Sequence, residues 1–331
     1  MNLHLNKEAF AELVELSANY FVYEKSHIEK DYWVCKILKE LIQTNFSKNI
    51  YFKGGTSLSK AYGIIDRFSE DLDLFVYTGN PKSSIQSEKT LTRNISHVII
   101  ENNEGIYNKD NSKIGGDFRK LAFSYKTSYE GIGLKENLEV EIKCCALNDK
   151  LKMYYPFQNR NICSIITEYL HAIGNKELIA NFELESFEVQ CIDPKRTLCD
   201  KISRLTRLSY KEDFESEIAK HIRDVYDIYC LLTRNEYLEF IYSKNFVDAL
   251  KQVTDEDKFN KNYPSYIIIS DARIFNQTEQ TLKLSAISQA YEGELKKLIF
   301  KSSRIPSINE IIETFAVLKK ALLKFDTKYS V

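Results

Sequence analysis

Two stretches of this chain combine residue types that could do chemistry: Lys53-Gly54-Gly55-Thr56-Ser57 and Glu70-Asp71-Leu72-Asp73. Adjacent glycines allow positive φ and close backbone approach, and Thr56 or Ser57 can cap a helix that starts there. The free amides of such a helix start suit phosphate oxygens. Asp71 and Asp73 share one face of an extended segment, roughly 6.6 Å apart along it at about 3.3 Å of rise per residue. Carboxylates so placed converge on one hard cation. Oxygen-only ligation suits Mg2+, which completes its shell with water and substrate phosphates. A phosphate turn followed by a carboxylate pair is what a nucleoside triphosphate and its metal need. A G-x-x-x-x-G-K-[ST] motif, which would point to a P-loop kinase, does not occur.

Positioning these groups takes two strands around the turn. Ile50–Phe52 is short, apolar and β-prone, and Leu72, Leu74 and Val76 alternate with Asp71, Asp73 and Phe75. Residues 7–45 carry helical periodicity through Phe10, Leu13, Val14, Trp33, Ile37, Leu38 and Leu41. A helix is expected from Pro81 to about Glu101, then a polar mobile loop over residues 102–118. Strands follow at Leu121–Tyr125 and Leu138–Cys145, joined through Gly131-Ile132-Gly133. After a strand region at Phe182–Ile192, Pro194 opens a mainly helical stretch, with helices near 195–208, 214–233, 237–252, 279–300 and 307–325. Ser307 and Glu310 have the spacing of a capping box for the last of these. The fold class is α+β, and the change of periodicity divides the chain into residues 1–193 and 194–331. No internal repeat or flexible linker is visible.

Composition sets outer bounds. Hydrophobic content of 44% and charged content of 28% are those of a soluble globular protein with ample core. No run approaches the ~20 apolar residues needed to span a bilayer, and the N-terminus lacks an apolar segment, so no secretory signal, no membrane partner and a cytoplasmic location are expected. The seven cysteines show no Cys-x-x-Cys spacing, which argues against zinc and for free thiols. A net charge of −1 excludes a generally basic nucleic-acid-coating surface, though not a local groove.

Lys53 to Leu58 together with Arg67-Phe68-Ser69-Glu70-Asp71-Leu72-Asp73 resembles the nucleotidyltransferase signature of the AbiEii/AbiGii toxin family. Glu29-Lys30-Asp31-Tyr32-Trp33-Val34, Pro194 to Arg204 and Arg223-Asp224-Val225-Tyr226-Asp227-Ile228-Tyr229 are similar to the same family in order and spacing, across about residues 25–235. The glycine–aspartate motif is common to polymerase-β-like nucleotidyltransferases; the other three stretches single out this family. The family often has Glu where this chain has Asp200.

The resemblance implies a polymerase-β-like nucleotidyltransferase core with a mixed sheet flanked by helices, then a mainly helical domain contributing Lys201 and Asp224 to the site. It implies Mg2+ at Asp71 and Asp73 and an NTP with its phosphates at Gly54, Gly55, Thr56 and Ser57; Arg67 is a candidate triphosphate contact, with plain surface charge as the alternative. It also implies a third carboxylate from a neighbouring strand. Glu139, Glu141 and Lys143 alternate with Val140 and Ile142, and the pattern favours Glu141, with Glu139 second. The family's lysine at the position of Lys201 is linked to activity. Asp224 and Asp227, three apart on a helix, share a face and can hold Lys201 or Arg204, or touch substrate. Arg119 and Lys120 are further triphosphate candidates, with plain surface charge as the alternative. Tyr32 and Trp33 are expected to pack the N-terminal helices against the core rather than stack a base.

For function, the resemblance implies a growth-inhibiting toxin neutralised by a cognate antitoxin. The reaction it implies is transfer of a nucleoside monophosphate from an NTP to an acceptor hydroxyl. Some relatives add nucleotides to the 3′ end of tRNA, which makes tRNA the first acceptor to consider. Transfer to a protein side chain, and nucleotide sensing without turnover, are the alternatives.

Overall fold

The computed structural model describes residues 1–78, 84–116, 118–125, 127, 129, 135–144, 155–258, 268–300 and 304–329. The Gly131-Ile132-Gly133 connection and Pro81 lie outside the described residues. Seven strands, β1 (Ile50–Lys53), β2 (Leu72–Val76), β3 (Tyr107–Ile114), β4 (Phe118–Phe123), β5 (Leu138–Cys144), β6 (Phe157–Ile162) and β7 (Phe187–Ile192), form one sheet in the order β3-β4-β5-β2-β1-β7-β6. β2/β5 and β1/β7 pair in parallel and the remaining neighbours antiparallel, so the sheet is mixed. With its flanking helices and the helical C-terminal region, this is the expected α+β class.

The alternation in β2 and β5 sorts side chains as the pleat requires. Leu72, Leu74, Val76, Val140 and Ile142 are fully buried in one apolar cluster with Val34, Ile37, Leu38, Ile95 and Ile99 of the helices Lys25–Ile42 and Ile85–Asn102. Each such side chain contributes about 1.5–3 kcal/mol by leaving water. The carboxylates are left on the other face. Tyr32 and Trp33 belong to the same cluster, at 0% and 9% exposure, so both pack rather than present a ring for stacking.

Residues 102–118 are not a loop. Tyr107–Ile114 is the outermost strand β3, and its exposed, polar pattern is that of a sheet edge. The opposite outer strand, β6 (Phe157–Ile162), is equally polar and has no counterpart in the sequence reading.

The chain resolves into two compact units. One comprises Met1–Lys152 and Pro156–Asp193 with Phe300–Ser302; the other comprises Met153–Tyr155, Pro194–Ile299 and Ser303–Val331. In the second unit the helix Pro194–Ser209 forms as expected, but the expected 214–233 helix is two, Phe214–Lys220 and Ile222–Leu232. The break falls at His221, whose Nδ1 lies 2.9 Å from the Glu217 carbonyl while its own carbonyl accepts the Asp224 N–H at 2.8 Å. The expected 279–300 helix is likewise a series of short turns that includes a π-helical stretch, Ala290–Leu295. The last helix, Ile308–Tyr329, starts with the capping box: the Ser307 N–H donates to Glu310 Oε2 at 2.8 Å and the Glu310 N–H to Ser307 Oγ at 3.3 Å. Cys35, Cys163, Cys191, Cys199 and Cys230 are free thiols. No helix is long and apolar enough to cross a membrane among the described residues.

Candidate active site

The turn after β1 is shaped around an aspartate. Gly54 sits at φ +78, and a Cβ built on it would collide with the Asp73 carboxylate. Only glycine meets both conditions, so Gly54 lets the turn and the carboxylate occupy the same place. The helix after it, Gly54–Lys60, begins before Thr56 and Ser57, which lie inside its first turn and so cannot be its caps. Lys53 is the N-cap and provides no side-chain cap. Instead the Thr56 hydroxyl donates to the Asp71 carbonyl and lies 3.0 Å from Ser69 Oγ, tying the turn to the start of β2. Ser57 is buried.

Strand register gathers the charges. Asp73 pairs with Lys53 on β1 and with Glu141 on β5, and Glu141 pairs in turn with Lys120 on β4. Directly opposed residues share a face, so Lys53, Asp73, Glu141 and Lys120 form one row across four strands. Burial, together with the negative charges of Asp73 and Asp71, pushes Glu141 up to about 6. Burial also raises Asp71, only partly offset by Lys135. Glu139 behaves oppositely. Despite burial, Lys120 and Lys135 hold it below the usual carboxylate range, with Lys135 Nζ at 2.5 Å. Of the two candidate third carboxylates, Glu141 is the one set directly against Asp73.

Among the described residues no three His, Cys, Asp or Glu side chains are gathered as a ready metal cage. Mg2+ needs less, since one or two carboxylates plus water and phosphates suffice. Asp71 and Asp73 fit that requirement. They are hard oxygen donors beside a glycine turn, and Asp71 Oδ1 is buried without a hydrogen-bond partner.

A scaffold of buried charges holds this face, and it comes from the Glu29–Val34 stretch. Lys30 and Glu70, each 1% exposed, are 2.7 Å apart. Asp31 pairs with Lys60 at the end of the helix after the turn, and accepts the Ile165 N–H at 2.7 Å. Glu29 accepts from the Thr127 hydroxyl. Each of three consecutive side chains thus fixes a different segment. Sequence reading assigned these residues no role, because a charged triplet on a helix reads as a solvated face.

In the second unit, Lys201 Nζ lies 2.5 Å from Asp224 Oδ1 and 2.8 Å from Asp227 Oδ2. Arg204 reaches Asp224 Oδ2 at 3.2 Å. Burial would raise Asp224, but Lys201 and Arg204 hold it well below the usual carboxylate range. Both aspartates hold the lysine, so the choice between them is not one the geometry forces.

A family model described as nucleotidyl transferase AbiEii toxin, type IV TA system, matches residues 36–314. This chain belongs to that AbiEii family. The match runs well past residue 235, where the recognisable motifs stop, and begins just after Glu29–Val34. No curated protein matches the chain. An AbiEii protein is a nucleotidyl transferase toxin of a type IV toxin–antitoxin system, which implies an antitoxin partner. The remaining phosphate candidates of this AbiEii chain divide by position. Arg67 is buried and donates to the Phe68 carbonyl at 3.0 Å. Arg119 pairs with Ile142, on the alternate face from Lys120, so Lys120 alone of that pair joins the carboxylate row.

Proposed function

We propose that this toxin transfers a nucleoside monophosphate from an NTP to an acceptor hydroxyl, with the 3′ end of tRNA as acceptor. The observation that carries the reading is the Gly54–Asp73 contact geometry, which sets the glycine turn directly against the Asp73 carboxylate, beside Asp71 with its unpartnered oxygen. In the proposed complex the triphosphate lies along Gly54, Gly55, Thr56 and Ser57, with Lys53 and Lys120 as nearby cations. Asp71 and Asp73 would hold Mg2+, which supplies charge neutralisation at the attacking and leaving oxygens. Glu141, with a pKa of about 6, is suited to accept the proton of the attacking hydroxyl near neutral pH. The new bond joins that oxygen to the α-phosphorus, and the bond between the α-phosphorus and its bridging oxygen breaks to release pyrophosphate. Lys201, held by Asp224 and Asp227 in the helical unit, is proposed as a further residue required for activity.

The test is transfer of α-32P label from each of four NTPs to total tRNA with Mg2+, with an RNA-free arm containing protein acceptors. Label on tRNA from one NTP supports the reading. Label on protein alone replaces the acceptor, and NTP binding with no transfer to either replaces catalysis by sensing.

A further inference from the structure

Lys135 is placed with more care than a surface lysine needs. Its ammonium lies 2.8 Å from Asp71 Oδ2 and 2.5 Å from Glu139 Oε2. The backbone of the same residue is fixed on both sides. Its N–H donates to Glu70 Oε2 at 2.9 Å, and its carbonyl accepts from Lys30 Nζ. A buried ion pair such as Lys30–Glu70 is costly to desolvate and persists when further hydrogen bonds complete it. Here those further bonds go to Lys135 and to the Asn137 carbonyl, 3.3 Å from Lys30 Nζ. The clamp therefore holds the root of the Lys135 side chain beside Asp71, while the side chain itself is 41% exposed.

We propose that Lys135 is a tethered counter-ion that occupies Asp71 until a divalent cation displaces it, an inference that rests on the metal site proposed above. Lys135 holds Asp71 Oδ2 and leaves Oδ1 open, so a divalent ion entering at Oδ1 meets the repulsion of an ammonium on the same carboxylate, and that repulsion drives the exchange. The exchange weakens binding of the free ion and favours its arrival with a triphosphate, whose oxygens offer the released ammonium new partners. Asp71 and Glu139, meanwhile, stay together in the metal-free protein.

The experiment is Mn2+ binding to the nucleotide-free full chain, followed by the electron paramagnetic resonance of the free ion, with Asp73→Ala as the reference for unrelated binding. Lys135→Met keeps the backbone bonds to Glu70 and Lys30 and removes only the charge. It should bind Mn2+ up to about fivefold more tightly, the scale of one half-exposed ion pair. Lys135→Arg should stay close to wild type. Lys25→Met, which removes an equal charge from an exposed pair with Glu15 in the same unit, should shift affinity by no more than about twofold. As a fold-independent readout, Mn2+ should raise the Tm of Lys135→Met more than that of wild type. Unchanged or weaker binding by Lys135→Met, or equal tightening by Lys25→Met, overturns the counter-ion role while leaving the metal site standing. Wild type binding no more Mn2+ than Asp73→Ala removes the metal site, and the inference with it.

Discussion

Asp71, Asp73 and Glu141 on the sheet and Asp224 and Asp227 among the C-terminal helices are both sets of protected carboxylates, but their charges are met differently. In the helical unit Lys201 lies between the two aspartates, Arg204 adds a second cation, and Asp224 is driven well below its usual range. On the sheet the same chemistry is left incomplete. Glu141 rises to about 6, Asp71 rises too, and one Asp71 oxygen has no partner. A group that is fully compensated in the folded protein contributes to stability, whereas one that is strained is held there by the rest of the fold and is available to a ligand. The contrast assigns positioning to the helical cluster and cation binding to the sheet.

The largest effect that would sharpen the contrast is expected from Lys201→Met, which removes the buried cation lying between Asp224 and Asp227, the latter at 0% exposure. Denaturant unfolding should show a loss of about 3–5 kcal/mol. A loss under 1 kcal/mol would mean that the cluster is not the neutral unit described. Gly54→Ala comes next, because it strains φ +78 and drives a Cβ into Asp73. It should cost about 1–3 kcal/mol and abolish transfer, whereas a clash of no functional consequence would leave transfer intact.

The pH dependences of the two clusters have opposite signs. Glu141 in the folded protein titrates at about 6, above its ordinary 4.5. Between those values the native state keeps a proton that the unfolded chain releases, so metal-free stability falls as pH rises through 6, by up to about 2 kcal/mol at 1.36 kcal/mol per unit. Glu141→Gln should remove that fall and raise the metal-free Tm at pH 7. A Tm lowered at pH 7 would break the comparison. Asp224, depressed below its ordinary 3.8, contributes stability that is present above that value and lost only as pH falls below it. The smallest effect is expected from Arg204→Ala. Its side chain is 42% exposed, so unfolding should change by less than about 1 kcal/mol.

What the sequence made legible follows from where apolar pattern and chemistry coincide. β1 reads as a short apolar run, and β5 and the start of β2 alternate because one face is core and the other is the site. β3 and β6 do not, because a sheet edge is kept polar against unwanted pairing, and that polarity reads as loop. The helix break at His221 depends on backbone and side-chain bonds that no periodicity encodes. In the site, Asp71 and Asp73 could be placed on one face by counting, since strand periodicity is two, whereas Glu141 entered through the resemblance, with Glu139 beside it as the alternative. Lys135 could not be so placed, because its contact with Asp71 spans 64 positions. Nor could Glu29, Lys30 and Asp31, whose partners become visible only once the chain is folded.

The most direct test of the central claim compares Asp73→Ala with wild type in two measurements on the same samples, α-32P transfer with Mg2+ and denaturant unfolding. The account expects transfer to fall on the order of 10³-fold or more, while stability stays at or above wild type because a repelling carboxylate has been removed from beside Glu141. A well-folded Asp73→Ala protein that retains full transfer would contradict it.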